Sequence, residues 1–216
     1  MRSHLIVASA LLTGFGFLPA TAEAQELSAT VASRYIDTDT FNDVFSDEAV
    51  LKLEGSYDLS KHLYVSGYVY TGFSKPLKDN SSEYAFEVGG TWDLSDHIKA
   101  GIAAGRYANY QGRGFDQGDW YVKATASYER LSVSASVLRG VSDTALLGVS
   151  YNVPVTDKLS VKPSVVFYTA DGRLNPAVEA TYRLNDKLSV NAIAVIPENS
   201  TGGRTAYGAI GLSASF

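Results

Sequence analysis

No cysteine occurs among the 216 residues, which removes disulfides as a source of stability and thiolates as metal ligands. Histidine is nearly as scarce. Three are present, and outside the N-terminal leader described below only His62 and His97 remain, each in a short polar turn. Nucleophilic or metal-assisted hydrolysis needs a base beside a nucleophile, or clustered ligands, and these two residues supply neither. The chain is therefore expected not to be an enzyme and to carry no metal or cofactor. No internal run of about 18 apolar residues exists, so a membrane-crossing helix is excluded. An excess of cations is missing too. Eighteen Lys and Arg face 23 Asp and Glu, and a net charge of −5 argues against nucleic acid as a partner.

What is present starts with a leader. Arg2 and His4 precede the apolar stretch Leu5–Phe17, and Ala22-Glu23-Ala24 offers a small-x-small cleavage site. This predicts a signal peptide over residues 1–24 and an exported mature domain over 25–216. With no Cys at the cleavage site, a lipoprotein anchor is not expected.

A repeat organises the mature segment. Tyr57-Asp58-Leu59-Ser60-Lys61-His62-Leu63, Trp92-Asp93-Leu94-Ser95-Asp96-His97-Ile98 and the segments opening at Tyr128, Tyr151 and Tyr182 share one plan. Each is an aromatic, a few polar turn residues, then an aliphatic that starts a new alternating run. Period-two alternation predicts strands beginning near Glu26, Asp47, His62, Ser82, Ile98, Gly118, Leu131, Asp143, Lys158, Leu174, Lys187 and Thr205. Five tight turns then alternate with six longer loops, the pattern of an all-β, 12-stranded antiparallel transmembrane β-barrel of up-and-down topology.

The two faces of each strand differ in kind. Leu51, Leu53 and Tyr57 oppose Lys52, Glu54 and Ser56, while Tyr84, Phe86, Val88 and Trp92 oppose Glu83, Glu87 and Thr91. Every second strand ends in an aromatic on its apolar face: Tyr57, Trp92, Tyr128, Tyr151, Tyr182 and Phe216. A ring of such residues at one level predicts a membrane-interface girdle. A soluble β-barrel would turn its apolar face inward, but here the polar face carries Lys and Glu in mid-strand, as a lumen would. In lipid the sheet must close to leave no unpaired edge.

The ending Gly211-Leu212-Ser213-Ala214-Ser215-Phe216 resembles the C-terminal insertion signal of outer-membrane barrels, departing from it at Ala209 and Ala214. The layout over Gln25–Phe216 resembles the TorF-type porins, with the nearest stretch over Gly101–Val137, where a Gly/Asp-rich loop leads into Trp120-Tyr121-Val122. That resemblance implies an outer-membrane, porin-like protein of a Gram-negative bacterium. Its partners would be outer-membrane lipid and lipopolysaccharide, the barrel-assembly machinery and small hydrophilic solutes. A more distant similarity is to 12-stranded channels for acidic sugars, whose lumens carry arginine ladders that this chain lacks.

Taking the polar face as inward, the expected channel-lining charges are Arg34, Lys52, Glu54, Glu83, Glu87, Lys99, Lys123, Lys162, Glu179 and Arg183. They could bias which small hydrophilic solutes pass, or pair across the barrel and fill it, since 12 strands lie between side-chain-filled and open barrels. Tyr64, Tyr68 and Tyr70 share that face and would narrow it. The acidic first loop, with Asp37, Asp39, Asp43, Asp47 and Glu48, is expected to be solvated; binding of bridging divalent cations is the alternative. The loops are expected to be too short for a large receptor or a gated plug.

Overall fold

The computed structural model describes residues 25–38, 40–73, 82–109, 117–198 and 202–216. The expected leader, residues 1–24, Asp39 of the first loop, and the segments 74–81, 110–116 and 199–201 lie outside the described residues.

Alternation gives fifteen strand segments in chain order. They are β1 (Gln25–Ala32), β2 (Tyr35–Asp37), β3 (Asp43–Ser46), β4 (Val50–Asp58), β5 (Leu63–Gly72), β6 (Ser82–Asp93), β7 (Ile98–Asn109) and β8 (Gln117–Tyr128). There follow β9 (Leu131–Arg139), β10 (Ala145–Tyr151), β11 (Val153–Pro154), β12 (Leu159–Tyr168), β13 (Leu174–Arg183), β14 (Leu188–Val195) and β15 (Tyr207–Ser215). β10 and β11 are one wall strand interrupted at Asn152, because both pair with β12. β2 and β3 pair only with each other. Twelve antiparallel wall strands remain, and β1 closes the sheet by pairing with both β4 and β15. Every wall strand has two partners, which lipid requires of it.

The sequence repeat is a turn geometry. In four of the five tight turns the first loop N–H donates to the carbonyl that opens the next strand: Leu59 to Leu63, Leu94 to Ile98, Val155 to Leu159 and Leu184 to Leu188, all at 2.8 Å. One small polar side chain accepts two further N–H groups in each. Ser60 takes those of His62 and Leu63, Ser95 those of His97 and Ile98, Thr156 those of Lys158 and Leu159, and Asn185 those of Lys187 and Leu188. Ser, Thr and Asn recur there because their short side chains satisfy backbone donors that the turn strands. The fifth turn has only Glu129 and Arg130 and places Glu129 at φ 52°.

The usual inside and outside of a globular protein are reversed. Outward positions carry Val122 at 52% exposure and Ile210 at 59%, whereas Glu83, facing the lumen, is 1% exposed. A continuous apolar exterior of this kind needs lipid around it. Trp92, Tyr128, Tyr151, Tyr182 and Phe216 lie exposed at the turn end. Tyr57 has the same outward register, opposite Val65, but is buried, so it differs from the other five expected girdle residues.

One element departs from expectation. The first loop is not a solvated cap: β2 and β3 form a hairpin folded into the barrel, with contacts on three sides. Tyr35 packs with Val50 and Tyr70, Ile36 with Ala177 and Val195, and Phe41 against Tyr107, Leu138, Leu146, Val166 and Tyr168. The physical reason lies in its composition. Five large apolar side chains, Tyr35, Ile36, Phe41, Val44 and Phe45, sit among its carboxylates; Tyr35 and Ile36 are buried and the other three half-buried, and full burial of an Ile or Phe side chain is worth roughly 1.5–3 kcal/mol.

Candidate functional site

The lumen is a concave polar surface, and its walls are charged. In the barrel register Lys52, Glu54, Glu83, Glu87, Lys99, Lys123, Lys162, Glu179 and Arg183 all take inward positions. Arg34 follows β1 at the hairpin's base, where Nε meets Asp47 at 3.3 Å and the guanidinium lies 5.1 Å from the Tyr207 ring centroid. Lys99 and Arg183 sit at the turn-end mouth, both exposed, with Lys99 3.6 Å from Asp93. The remaining three lysines each hold a carboxylate. Lys52 meets Glu54 at 2.8 Å, Lys123 meets Glu87 at 2.8 Å, and Lys162 meets Glu179 at 3.2 Å.

Around Glu87 the wall is specialised. Tyr64 and Tyr121 donate their hydroxyls to its two oxygens at 2.7 and 2.9 Å. They reach it by lying over glycines: a Cβ on Gly89 would stand 2.5 Å from the Tyr64 ring, and one on Gly105 would stand 2.7 Å from the Tyr121 ring. Glycine here admits close approach of the aromatic rings. Tyr68 donates to Glu83 at 2.5 Å, and the Lys52 ammonium stands 4.7 Å from the Tyr68 ring centroid. The Glu87 side chain is 10% exposed. Replacing Lys123 with Met therefore strands a carboxylate at small exposure, with an expected loss of roughly 2–3 kcal/mol in unfolding free energy, below the ~3–5 kcal/mol of a fully buried pair because Lys123 meets water. Denaturant unfolding of the refolded barrel measures it. The double variant E87Q/K123M recovers most of that loss; equal losses in both variants would refute the pairing.

The hairpin is pinned to these walls by polar contacts as well as apolar ones. Thr38 donates to Glu179 at 3.2 Å, and Asn42 donates to the Asn175 carbonyl at 2.8 Å. Ser164 donates to Asn42 at 3.2 Å, and Tyr168 donates to the Phe41 carbonyl at 2.9 Å. Asn42 is wholly buried at φ 48°, a left-handed turn conformation that Asn tolerates. Asp37 accepts the N–H groups of Thr40 and Phe41 at 2.7 and 2.9 Å and so shapes the tip. Burial raises the Asp43 carboxyl above its usual range, opposed by the Val44 N–H and by Arg173. Burial likewise raises the Tyr35 phenol, helped by the charges of Asp37 and Glu83.

Space remains on both sides of the hairpin. Towards the turn end lie cavities of 430 Å³, lined by Lys99, Lys123, Lys162 and a band of Ser and Thr, and 310 Å³, lined by Arg34, Lys52, Glu54 and Glu179. Between the hairpin and the β4–β8 wall is a narrower 160 Å³ space bordered by Asp37, Lys52, Glu54, Glu87 and Lys123. At the loop end a 490 Å³ vestibule is lined by Asp43, Asp119, Asp171 and Arg173.

The hairpin residues Asp37, Thr38, Thr40 and Phe41, and the wall residue Tyr121, were not among the expected lining residues. A signal for the hairpin does exist in the sequence, as an apolar content too high for a loop in water. His62 and His97 stay in separate tight turns: His62 Nδ1 is 3.1 Å from the Thr91 carbonyl and His97 Nδ1 is 3.6 Å from Glu129.

No family model matches the sequence, and no curated protein matches it. Among solved structures the chain is similar to the KdgM porin, at 10% identity over 88% of this chain and 99% of that one, with a TM-score of 0.59. It is similar to the KdgM porin in complex with disordered oligogalacturonate at the same identity and coverage, with a TM-score of 0.58. Outer membrane phospholipase A from Escherichia coli follows at 9% identity, covering 88% of this chain and 91% of that one, with a TM-score of 0.51. At such identities the likeness is one of fold, and a porin and a phospholipase share it, so function must be argued from the lumen. The chain has the fold of a small outer-membrane β-barrel of 12 strands.

Proposed function

We propose that the protein is an outer-membrane, porin-like channel for passive diffusion of small hydrophilic solutes, narrowed from within by its own first loop. The observation that carries this reading is the set of charged, hydroxyl-rich cavities on both sides of the hairpin. A lumen filled by its paired side chains would leave little such space, whereas a solute path needs it. The paired walls, three ammonium–carboxylate pairs around the hairpin, suit a passage of weak charge preference.

A second reading, a non-conducting barrel that supports the envelope or contacts partners, is favoured by one observation: the hairpin's apolar contacts reach three sides of the wall. Planar-bilayer recording separates the two. Discrete single-channel steps from the refolded protein are expected; their absence, with circular dichroism reporting an intact barrel, would leave the second reading.

Kinship with the TorF-type porins belongs to this proposal, supported by the stretch Gly101–Val137. So do a Gram-negative outer-membrane location after removal of residues 1–24, delivery by the barrel-assembly machinery, and contact with outer-membrane lipid and lipopolysaccharide. The proposal includes no catalytic step, metal or cofactor. In its support, His62 and His97 sit in separate turns, His62 against the Thr91 carbonyl of β6 and His97 against Glu129, with no nucleophile shown beside either among the described residues.

A further inference from the structure

The outward faces of the twelve wall strands carry only two charged residues among those described, and both are arginines. The register places them in one row: Phe86 on β6 opposes Arg106 on β7, Arg106 opposes Trp120 on β8, and Trp120 opposes Arg139 on β9. The row faces away from the lumen, because the adjacent positions Glu87, Gly105, Tyr121 and Leu138 face in. Elsewhere this face is built of aliphatic, aromatic, glycine and proline residues with an occasional uncharged polar one. Two cations on either side of one tryptophan are thus a local feature and not a general property of the exterior.

Their level in the membrane follows from the strand. From Trp120 to Tyr128 the outward positions of β8 are Val122, Ala124 and Ala126 only. Eight residues at about 3.3 Å each, tilted by about 40°, span roughly 20 Å of membrane thickness, close to the ~25 Å apolar band of such barrels. Tyr128 marks the turn-end interface, so Trp120 and its two arginines lie at the opposite interface, beneath the longer loops. In an outer membrane that is the external leaflet.

The guanidinium of Arg106 is short of partners. Its Nη1 donates to the Tyr84 hydroxyl at 3.2 Å and the group lies 5.7 Å from the Trp120 ring centroid, but Nε is buried without a hydrogen-bond partner. No carboxylate pairs with Arg106 among the described residues. Among the described residues Arg139 has only Asp143, at 3.8 Å with both side chains about 70% exposed, a weak contact in water. Trp120 is 58% exposed between them. Two strand spacings of about 4.8 Å separate the arginine backbones, within reach of one anion for both long side chains. A planar guanidinium matches phosphate oxygens in pairs, and an indole suits the boundary between headgroup and acyl chain.

We propose that Arg106, Trp120 and Arg139 form a seat on the barrel's outer wall for the phosphate of an external-leaflet glycolipid of the lipid A type. The seat rests on the outer-membrane location proposed above but not on conduction. Charge complementarity at the external interface selects a phosphorylated lipid there, and the exposed indole selects one that also brings acyl chains.

Native mass spectrometry of the refolded barrel in detergent tests this with four probes: diphosphoryl lipid A, the same lipid dephosphorylated, phosphatidylglycerol and inorganic phosphate. The wild-type barrel is expected to retain diphosphoryl lipid A, with dephosphorylation weakening binding at least about tenfold. The variant R106Q/R139Q loses the same factor, and R106K/R139K, which keeps charge but not the paired geometry, falls between. Phosphatidylglycerol and inorganic phosphate bind more weakly than diphosphoryl lipid A. Undiminished binding by R106Q/R139Q, or equal binding of the dephosphorylated lipid, overturns the seat; equal binding of phosphatidylglycerol or of inorganic phosphate overturns the glycolipid assignment. Insertion of both proteins into phosphatidylcholine vesicles is read in parallel. A failed membrane reading would appear as no insertion by the wild type, whereas a failed seat leaves insertion intact.

Discussion

Excising residues 36–45 and joining Tyr35 to Ser46 through an Asn-Gly turn is expected to raise single-channel conductance about threefold. Tyr35 and Ser46 are cross-strand partners, so the shortened loop closes without stretching the wall. Twelve strands about 4.8 Å apart and tilted by about 40° give a backbone radius of roughly 12 Å. A side-chain layer of ~5 Å, half the ~10 Å spacing of packed sheets, leaves a radius of about 7 Å and an area near ~150 Å². A two-stranded ribbon roughly 10 Å wide and 10 Å thick takes about two thirds of that area. Planar-bilayer steps of wild type and variant measure the ratio. Equal steps, with both proteins folded, would mean that the hairpin does not occupy the passage in the membrane.

Neutralising the luminal ammonium groups has the other large effect. The triple variant K52M/K123M/K162M leaves Glu54, Glu87 and Glu179 without the cations that meet them at 2.8, 2.8 and 3.2 Å. At about 7 Å each uncompensated carboxylate favours a passing cation by roughly 0.6 kcal/mol in a water-like medium. Three of them, partly screened over a Debye length of about 8–10 Å, favour cations and oppose anions by ~1 kcal/mol each way. The cation-to-anion permeability ratio should rise roughly tenfold or more, read from the reversal potential in a salt gradient. Lys61→Gln, in a tight turn outside the lumen, is the control and leaves the ratio unchanged. A reversal potential in the triple variant identical to wild type would place these lysines off the ion path.

The strand count, the inside-out faces and the tight turns were all legible from residues near one another in the chain. Alternation such as Glu83, Glu87 and Thr91 against Tyr84, Phe86 and Val88 is a period-two signal that any strand displays, and the aromatic–turn–aliphatic repeat marks where strands reverse. Strand starts fell within a few residues of Val50, Leu63, Ala145 and Tyr207 for the same reason. Parity along one strand separates Lys52 from Leu51 whatever its neighbours do, so the polar face of a strand can be read without knowing its partners.

Long-range placement was not legible. That Phe41 would meet Tyr107 and Tyr168, or that Arg106 and Arg139 would flank Trp120, depends on register summed around a closed sheet. A local pattern cannot carry register across loops of differing length. The first loop shows the limit most clearly: its carboxylates belong in water and its Tyr, Ile, Phe and Val do not. Only a lumen wide enough to receive them, with Asn175 and Glu179 waiting as partners, tips that balance inward. Short-range alternation made the wall and its polarity, while what fills the lumen depends on whether distant strands supply apolar surface and hydrogen-bond partners at the same place.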